Sequence, residues 1–384
     1  MGYNTPMPDP DTQKPITKPD GLKKLANILA TQPAIAVDTE SNSLYAYREQ
    51  VCLIQFSIPD LDFLVDPLAL DDLSPLGPIF TDARIQKVFH AAEYDLICLK
   101  RDFGFSFNNL FDTMLAARIL GRTEVGLGSI LAAEFGIQVD KRHQRANWGQ
   151  RPLPDFLLDY ARQDTHYLLP LRDKLQPELE EKGLEKLARE DFIRLCTVEA
   201  NPENGKTTYW KVNGVHKLSP QQAAILQELC KYRDDVARQR NRPLFKVISD
   251  STLQAIASSS PNSVEELKSL PGMTQHQLDR HGKAILQAVQ RGLQSDPVHR
   301  PRSARPDDRF LARVEALKQW RKLKAKELEV ESDIILPRDL LHDIASKNPG
   351  NMDELSEVLH GVPWRQEQYG EEILILLRKV ESRR

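Results

Sequence analysis

Residues 34–40 read AIAVDTE, an apolar run that changes to acidic residues at Asp38 and Glu40. A short apolar run bounded by polar residues is typical of a buried β-strand. Because side chains alternate across a strand, these two carboxylates, two positions apart, should project from the same face. Further strand candidates of the same kind lie at 51–58, 63–65 and 88–91.

Helical patterns surround and follow these strands in the N-terminal half of the chain. They cover 22–29, 94–103, 113–120, 127–135 and 154–172. The early strands follow one another closely before the helices begin, which favours a mixed sheet over a purely parallel one. We therefore predict a flexible leader at 1–15 and an α/β domain at 16–205.

The C-terminal half has no convincing strand pattern, and it repeats itself at a constant spacing of 88 residues. Matched pairs include Tyr232 with Trp320, Leu253 with Leu341, Pro261 with Pro349 and Gly282 with Gly370. One ungapped offset across many matches indicates an internal duplication. We predict two all-α helical domains, at 214–293 and 306–384, joined at 294–305 by a linker whose prolines prevent a helix.

The bulk properties exclude several classes of protein. At 384 residues, 40% hydrophobic and 28% charged, the chain fits a globular protein of two or three domains. No apolar stretch suits a signal peptide or membrane span, so no membrane partner is expected. The four scattered cysteines form no zinc or disulfide pattern, which favours the cytoplasm. Residues 1–200 carry a net charge of −8 and residues 201–384 carry +5, which fits a carboxylate site beside a phosphate-attracting module.

Three further residues complete a possible catalytic set. Asp95 follows the apolar run at 88–91, and Tyr160 and Asp164 are four apart on one face of a predicted helix. Singly, each has an ordinary explanation, such as a turn after a strand or a helix cap. Together, several carboxylates could hold two divalent cations about 4 Å apart, the arrangement that hydrolyses phosphodiesters. A tyrosine hydroxyl could orient the attacking water.

Three segments carry a family resemblance. AVDTESNSLYAYREQVCLIQFS (36–57), VFHAAEYDLICLK (88–100) and YARQDTHYLLPL (160–171) resemble the motifs of the DEDD superfamily of 3′→5′ exonucleases, in its tyrosine-bearing subclass. The flanking segment FDTMLAARILG (111–121) is similar to a spacer of the ribonuclease D family. The resemblance implies an RNase H-like mixed sheet and two Mg²⁺ or Mn²⁺ ions held by Asp38, Glu40, Asp95 and Asp164, with Tyr160 as the fifth catalytic residue.

The two repeats resemble the HRDC domain, a helical nucleic-acid-binding module. This order of domains implies a monomeric 3′→5′ exoribonuclease that releases nucleoside 5′-monophosphates from RNA with a single-stranded 3′ end, such as tRNA precursors. A DNA exonuclease of the repair or proofreading type, or a catalytically silent nucleic-acid-binding protein, are the alternatives. The first repeat is the stronger RNA-binding candidate because of its basic residues Lys231, Arg233, Arg238, Arg240, Arg242 and Lys246.

A basic loop before the third motif, at 141–151, could guide a 3′ end. The substrate-binding candidates are Lys141, Gln144, Trp148 and Arg151 in this loop and His90 in the second motif. Trp148 could instead be a packing anchor, and His90 could belong to the core. Ser41 stands where the ribonuclease D family often has an aromatic residue, so we assign it no stacking role.

Overall fold

The computed structural model describes residues 14–139, 141–199, 209–299 and 307–382, with the Lys141 side chain excepted. Most of the leader predicted at 1–15 and part of the linker predicted at 294–305 lie outside the described residues. The strands are β1 Ala34–Ser41, β2 Val51–Ile58, β3 Leu61–Val65, β4 Gln86–Phe89 and β5 Leu110–Asp112. The helices of the N-terminal half are α1 Pro19–Leu29, α2 Gly77–Thr81, α3 Glu93–Phe103, α4 Thr113–Ile119, α5 Leu127–Phe135, α6 Asp155–His166, α7 Leu168–Glu181 and α8 Glu185–Cys196.

The five strands form one mixed sheet in the order β3-β2-β1-β4-β5. Strands β2 and β3 are antiparallel, whereas β4 runs parallel to both β1 and β5. The predicted α/β fold with a mixed sheet is confirmed. Strand β1 is fully buried at 34–37, so its apolar half lies in the core and its acidic half lies at the strand's carboxyl end.

Several elements differ from the sequence prediction, among them the short helix α2, which was not predicted. Strand β5 was not predicted, because its three residues are too few to show a period and it exists by pairing with β4. The helix predicted at 154–172 is two helices, α6 and α7, which meet at Tyr167, whose backbone (φ −98°, ψ 1°) departs from helical geometry.

The two helical repeats have the same fold, which confirms the all-α prediction for this half. The first repeat contains α9 Pro220–Gln239, α10 Leu244–Val247, α11 Asp250–Ser259, α12 Val264–Lys268 and α13 Gln275–Gln294. The second contains α14 Asp308–Glu327, α15 Ser332–Ile335, α16 Arg338–Lys347, α17 Met352–Val358 and α18 Pro363–Ser382. Each helix of the second repeat begins 88 positions after its counterpart, as the sequence offset requires. Helices α11 and α16 both end at a left-handed residue, Ser260 and Asn348.

The described residues divide into two compact units that do not follow the order of the chain. The first unit combines residues 14–40 and 51–199 with the second repeat. The second unit combines residues 41–50, which connect β1 to β2, with the first repeat. A copy of the duplicated domain is therefore part of each unit.

Within the first unit, the second repeat is held against α8 by buried charges. Arg365, fully buried in α18, pairs with Glu190 at 3.1 Å and with Asp191 at 2.8 Å. Its guanidinium also donates to the carbonyl oxygens of Ile334 and Ile335. Every charge in this group has a partner, which is what burial of charged side chains requires.

More exposed ion pairs extend the same interface. Arg118 in α4 binds Glu331 and Asp333, the latter at 2.8 Å, and Arg194 in α8 binds Asp339 at 2.7 Å. Exposed pairs of this kind contribute little stability, so the buried group around Arg365 dominates the polar part of the interface.

No helix in the described parts of the chain is both long enough and apolar enough to cross a membrane.

Candidate active site

Three of the predicted carboxylates meet at the carboxyl end of β1. Asp38 and Glu40 lie on this strand and Asp164 lies on α6, and each contributes an oxygen to a group whose members are all within 4.8 Å of one another. The group depends on two periodicities, the strand alternation that pairs Asp38 with Glu40 and the helix face that presents Asp164. Three carboxylate oxygens this close are a donor set suited to a hard divalent cation.

Asp95 lies beside this group, in the first turn of α3. It is buried, and its carboxylate accepts a hydrogen bond from the hydroxyl of Thr39, the residue between Asp38 and Glu40. The negative charge of Asp38 is one of the causes that raise the pKa of Asp95, so the two carboxylates are electrostatic neighbours. The sequence reasoning did not single out Thr39, which fixes the orientation of Asp95.

Burial makes the ionised form of these carboxylates unfavourable in the protein without metal. It raises the pKa of Asp38 to about 7 and the pKa of Asp164 to about 8. The pKa values of Glu40 and Asp95 are also well above their usual range, first because of burial and then because neighbouring carboxylates repel. A divalent cation would relieve this repulsion, so the electrostatics of the group fit metal binding.

Tyr160 lies one helical turn before Asp164, and its hydroxyl is hydrogen-bonded to that carboxylate. Burial, followed by the charges of Asp164 and Glu40, raises the pKa of the phenol above its ordinary value. The hydroxyl therefore stays protonated at neutral pH. It can donate or orient, and it is a poor base.

A buried polar network holds α6 against the sheet one residue beyond Asp164. Ser57 Oγ in β2 lies 2.6 Å from Thr165 Oγ1 and 2.5 Å from Asp62 Oδ1. The other oxygen of Asp62 contacts His166 Nδ1 at 2.8 Å. Because these partners come from β2, β3 and α6, they fix the helix that carries Tyr160 and Asp164.

Three of the predicted substrate-binding residues make contacts within the protein. Arg151 places its guanidinium 2.6–2.7 Å from both oxygens of the buried Asp66 and also donates to main-chain carbonyls. Trp148 is 1% exposed and packs in the core beside Tyr160, so its ring has no face available for a base. His90 Nδ1 lies 2.9 Å from Thr113 Oγ1, and the ring is also hydrogen-bonded to the backbone of Val125.

Of the remaining candidates, Gln144 is exposed, and the side chain of Lys141 lies outside the described residues. Two aromatic residues that the sequence reasoning missed lie next to Tyr160. The ring of His143 is 5.8 Å from that of Tyr160 and 4.9 Å from that of Phe156, which is 55% exposed. The helical spacing Phe156, Tyr160, Asp164 was the available signal, since residues four apart share a helix face.

The raised pKa values predict how pH affects the stability of the metal-free protein. A carboxyl whose pKa is higher in the folded state binds protons on folding, so stability decreases as pH rises through the window from about 4 to about 8. We expect EDTA-treated protein to lose on the order of 2–4 kcal/mol across this window from these groups. Thermal unfolding at pH 5 and pH 8 measures the change, and Mn²⁺ should restore stability at pH 8.

Asp38→Asn is the control for this effect, because the amide does not titrate. This variant should show a smaller decrease between pH 5 and pH 8 and a smaller gain from Mn²⁺. An identical pH profile in the wild type and in Asp38→Asn would contradict the assignment of the effect to these carboxylates.

Comparison with family models gives a match to the 3′-5′ exonuclease family over residues 13–180 and to the HRDC domain over 222–289 and again over 310–377. The first match contains the three motifs that carry the carboxylates. The two HRDC matches fall on the two repeats and differ by 88 positions at both ends.

Relatives and a solved structure match much of the chain. Ribonuclease D of Desulfotalea psychrophila is 31% identical over 90% of this chain and 90% of its own length. The Arabidopsis thaliana protein RRP6-like 3 is 34% identical over 64% of this chain, which spans 30% of that longer protein. The crystal structure of Escherichia coli RNase D is 27% identical, with a TM-score of 0.68, and covers 95% of this chain and 98% of its own.

Proposed function

This chain belongs to the ribonuclease D family and is a 3′→5′ exoribonuclease, and we propose that it shortens structured RNAs with single-stranded 3′ tails, such as tRNA precursors. We assign the active site to Asp38, Glu40, Asp95, Tyr160 and Asp164. The observation that carries the assignment is the convergence of three carboxylates within 4.8 Å beside a protonated tyrosine. The products are nucleoside 5′-monophosphates.

The mechanism assigns a separate task to each group. Asp38, Glu40, Asp95 and Asp164 would hold two divalent ions, Mg²⁺ or Mn²⁺. When bound, such ions neutralise the phosphate and lower the pKa of a coordinated water. Tyr160 orients the attacking water through its hydroxyl, which Asp164 holds in place.

The surroundings of these groups keep them in position. Thr39 keeps the Asp95 carboxylate turned toward the site by donating a hydrogen bond. The buried network of Ser57, Asp62 and Thr165 limits movement of α6. Preorganised groups need little rearrangement when charge develops on the phosphate, and this lowers the barrier to hydrolysis.

The proposed substrate class rests on two observations. Escherichia coli RNase D is described as an exoribonuclease involved in structured RNA processing. This chain also has exposed cations on its first repeat: Arg240 and Arg242 are exposed, and Phe245, three positions after Arg242, is 54% exposed. Cations beside an exposed aromatic ring suit single-stranded nucleic acid.

Other basic residues of this repeat have partners within the protein. Arg233 is buried and pairs with Asp250, while Lys231 and Arg238 pair with Glu228 and Asp234. We therefore place the RNA contact of the first repeat around Arg240 and Arg242.

We propose that the enzyme acts as a monomer in the cytoplasm.

The deciding experiment uses 5′-labelled RNA with a 3′ tail and a DNA of the same sequence, each with Mg²⁺, Mn²⁺ or EDTA. We expect a ladder of RNA products, each one nucleotide shorter than the last, with release of 5′-monophosphates and no reaction in EDTA. DNA digestion at an equal or greater rate would favour the DNA exonuclease. Binding of RNA without hydrolysis would favour the catalytically silent alternative.

Phe156 offers a test of substrate contact near the active site. Because it is exposed and lies beside His143 and Tyr160, we propose that it stacks on a nucleobase. Loss of one base–aromatic stack should raise KM for a short oligoribonucleotide by about tenfold in Phe156→Ala. Steady-state kinetics measures this, and kcat should change much less.

Two variants serve as controls for Phe156. Phe156→Tyr keeps the ring and should retain a KM near that of the wild type. Ile193→Ala removes a similarly exposed apolar side chain on α8 and should have no effect. A KM unchanged in Phe156→Ala would refute the stacking contact.

A further inference from the structure

The loop that follows Glu40 is bound by the first helical repeat. This β1–β2 loop, residues 42–50, starts two positions after the metal-ligand candidate and leads into β2. It belongs to the same compact unit as the first repeat. Its contacts within that unit are specific, and they are concentrated on two tyrosines.

Tyr47 makes the main contact. Its hydroxyl donates to Asp234 Oδ1 at 2.8 Å, and its backbone N–H donates to Asn241 Oδ1 at 3.1 Å. Arg238 pairs with Asp234 and lies 5.9 Å from the centre of the Tyr47 ring. One residue of the loop is therefore held through its hydroxyl, its ring and its main chain.

A second tyrosine adds to this contact. Lys246 Nζ lies 4.0 Å from the centre of the Tyr45 ring, which is cation–π distance. All four partners in the repeat, Asp234, Arg238, Asn241 and Lys246, lie at the corner where α9 ends and α10 begins. The tip of the loop is thus fixed at one corner of the repeat.

The base of the loop is closed by its own side chains. Ser41 Oγ donates to Glu49 at 2.9 Å, and the backbone N–H of Gln50 donates to Asn42 Oδ1 at 2.9 Å. The backbone N–H of Asn42 also donates to the Gln50 carbonyl. The two ends of the loop are therefore joined to each other by hydrogen bonds.

The duplication provides an internal comparison. The residues of the second repeat at the positions of Asp234, Arg238, Asn241 and Lys246 are Lys322, Lys326, Glu329 and Ile334. At the position of the acceptor Asp234 the second repeat has Lys322, whose ammonium cannot accept a hydrogen bond from a hydroxyl. At the position of Lys246 it has Ile334, which carries no charge to place over a ring. The contact is therefore particular to the first repeat and is not a general property of the helical fold.

We propose that the first repeat is a positioning element for the active site. Its contacts with Tyr45 and Tyr47 hold the β1–β2 loop, and the loop in turn sets the position of Glu40 at the end of β1. This inference rests on the proposed function for its catalytic consequence. Tyr47 and Asp234 are positioning residues, and neither is assigned contact with the substrate. The repeat then has a role in turnover in addition to RNA binding.

The test uses Tyr47→Phe, Asp234→Ala and the double variant in the full chain. Tyr47→Phe keeps the ring and removes only the hydroxyl. We expect amide hydrogen exchange in residues 42–50 to become at least about tenfold faster. We also expect kcat on a short oligoribonucleotide to fall about fivefold or more while KM stays within about twofold. The double variant should resemble the singles, because both remove the same hydrogen bond.

Tyr232→Phe is the matched control, because it removes a tyrosine hydroxyl whose hydrogen-bond partner, His281 at 2.7 Å, lies within the same repeat and not in the loop. It should leave loop exchange and kcat as in the wild type. Faster loop exchange with unchanged kcat, or unchanged exchange, would overturn the proposal.

Titration with Mn²⁺ separates this proposal from the proposed function. If the wild type fails to hydrolyse RNA, the proposed function fails, and positioning of Glu40 is then judged from calorimetric Mn²⁺ affinity alone. A weaker affinity in Tyr47→Phe than in Tyr232→Phe supports positioning, and equal affinities refute it.

Discussion

Asp164→Asn is expected to reduce turnover on RNA by about a thousandfold or more, which corresponds to about 4 kcal/mol of transition-state stabilisation. Asp164 is the carboxylate that α6 contributes to the group formed with Asp38 and Glu40. A neutral amide is a weaker ligand for a hard divalent cation and leaves the site with one negative charge fewer. Single-turnover kinetics with saturating enzyme measures the chemical step directly.

Asp159→Asn is the matched control, since Asp159 lies on the same helix and its side chain is 71% exposed. It should keep activity near that of the wild type. The metal-free Asp164→Asn protein should unfold at the same temperature as the wild type or higher, because a half-buried carboxyl with a raised pKa has been removed. Undiminished activity with Mg²⁺ or Mn²⁺ in Asp164→Asn would remove Asp164 from the active site.

Arg365→Gln is expected to destabilise the first unit by about 3–5 kcal/mol, because it leaves two buried carboxylates without their cation. Glu190 and Asp191 are both buried, and both depend on Arg365 as their ion-pair partner. Glutamine is also the residue at the equivalent position of the first repeat, Gln277, so the substitution suits the helix. Urea unfolding followed by circular dichroism measures the loss.

Arg378→Gln tests whether the loss of stability depends on the burial of the arginine that is replaced. Arg378 lies on the same helix, is exposed and donates to a single carbonyl, so its replacement should change stability by less than about 0.5 kcal/mol. Adding Glu190→Gln and Asp191→Asn to Arg365→Gln should recover part of the loss, since no unpaired charge then remains. A loss below about 1 kcal/mol in Arg365→Gln would show that the interface does not depend on this group.

The features that could be predicted from the sequence are those that follow a regular spacing of residues along the chain. The strand alternation at 34–40 and the helical spacing of Tyr160 and Asp164 marked three carboxylates as candidates for one site. In the structure their oxygens lie within 4.8 Å of one another. The offset of 88 residues predicted two copies of one helical fold, and the structure keeps this offset helix by helix. These features depend on local geometry, which a sequence records directly.

Contacts between distant residues could not be read in the same way. Arg151 was predicted to contact the substrate from its place in a basic loop, and its guanidinium pairs with Asp66, which is 85 positions away in the chain. Basic composition alone does not distinguish an exposed arginine from one whose donors are already used. Likewise, the two repeats look equivalent in sequence, although only the second shares a compact unit with the catalytic sheet.

That division has a consequence for synthesis on the ribosome. The core containing the catalytic sheet also includes Ile334, with Val330 and Trp364 packed against it, so it is completed only after α15 and the start of α18 have been synthesised. At roughly 5–20 residues per second, the stretch beyond residue 200 takes on the order of 10–40 s to translate. During that interval the surface of α8 that receives Arg365 has no partner. We expect the nascent chain to gain protease resistance late, after α18 has left the exit tunnel.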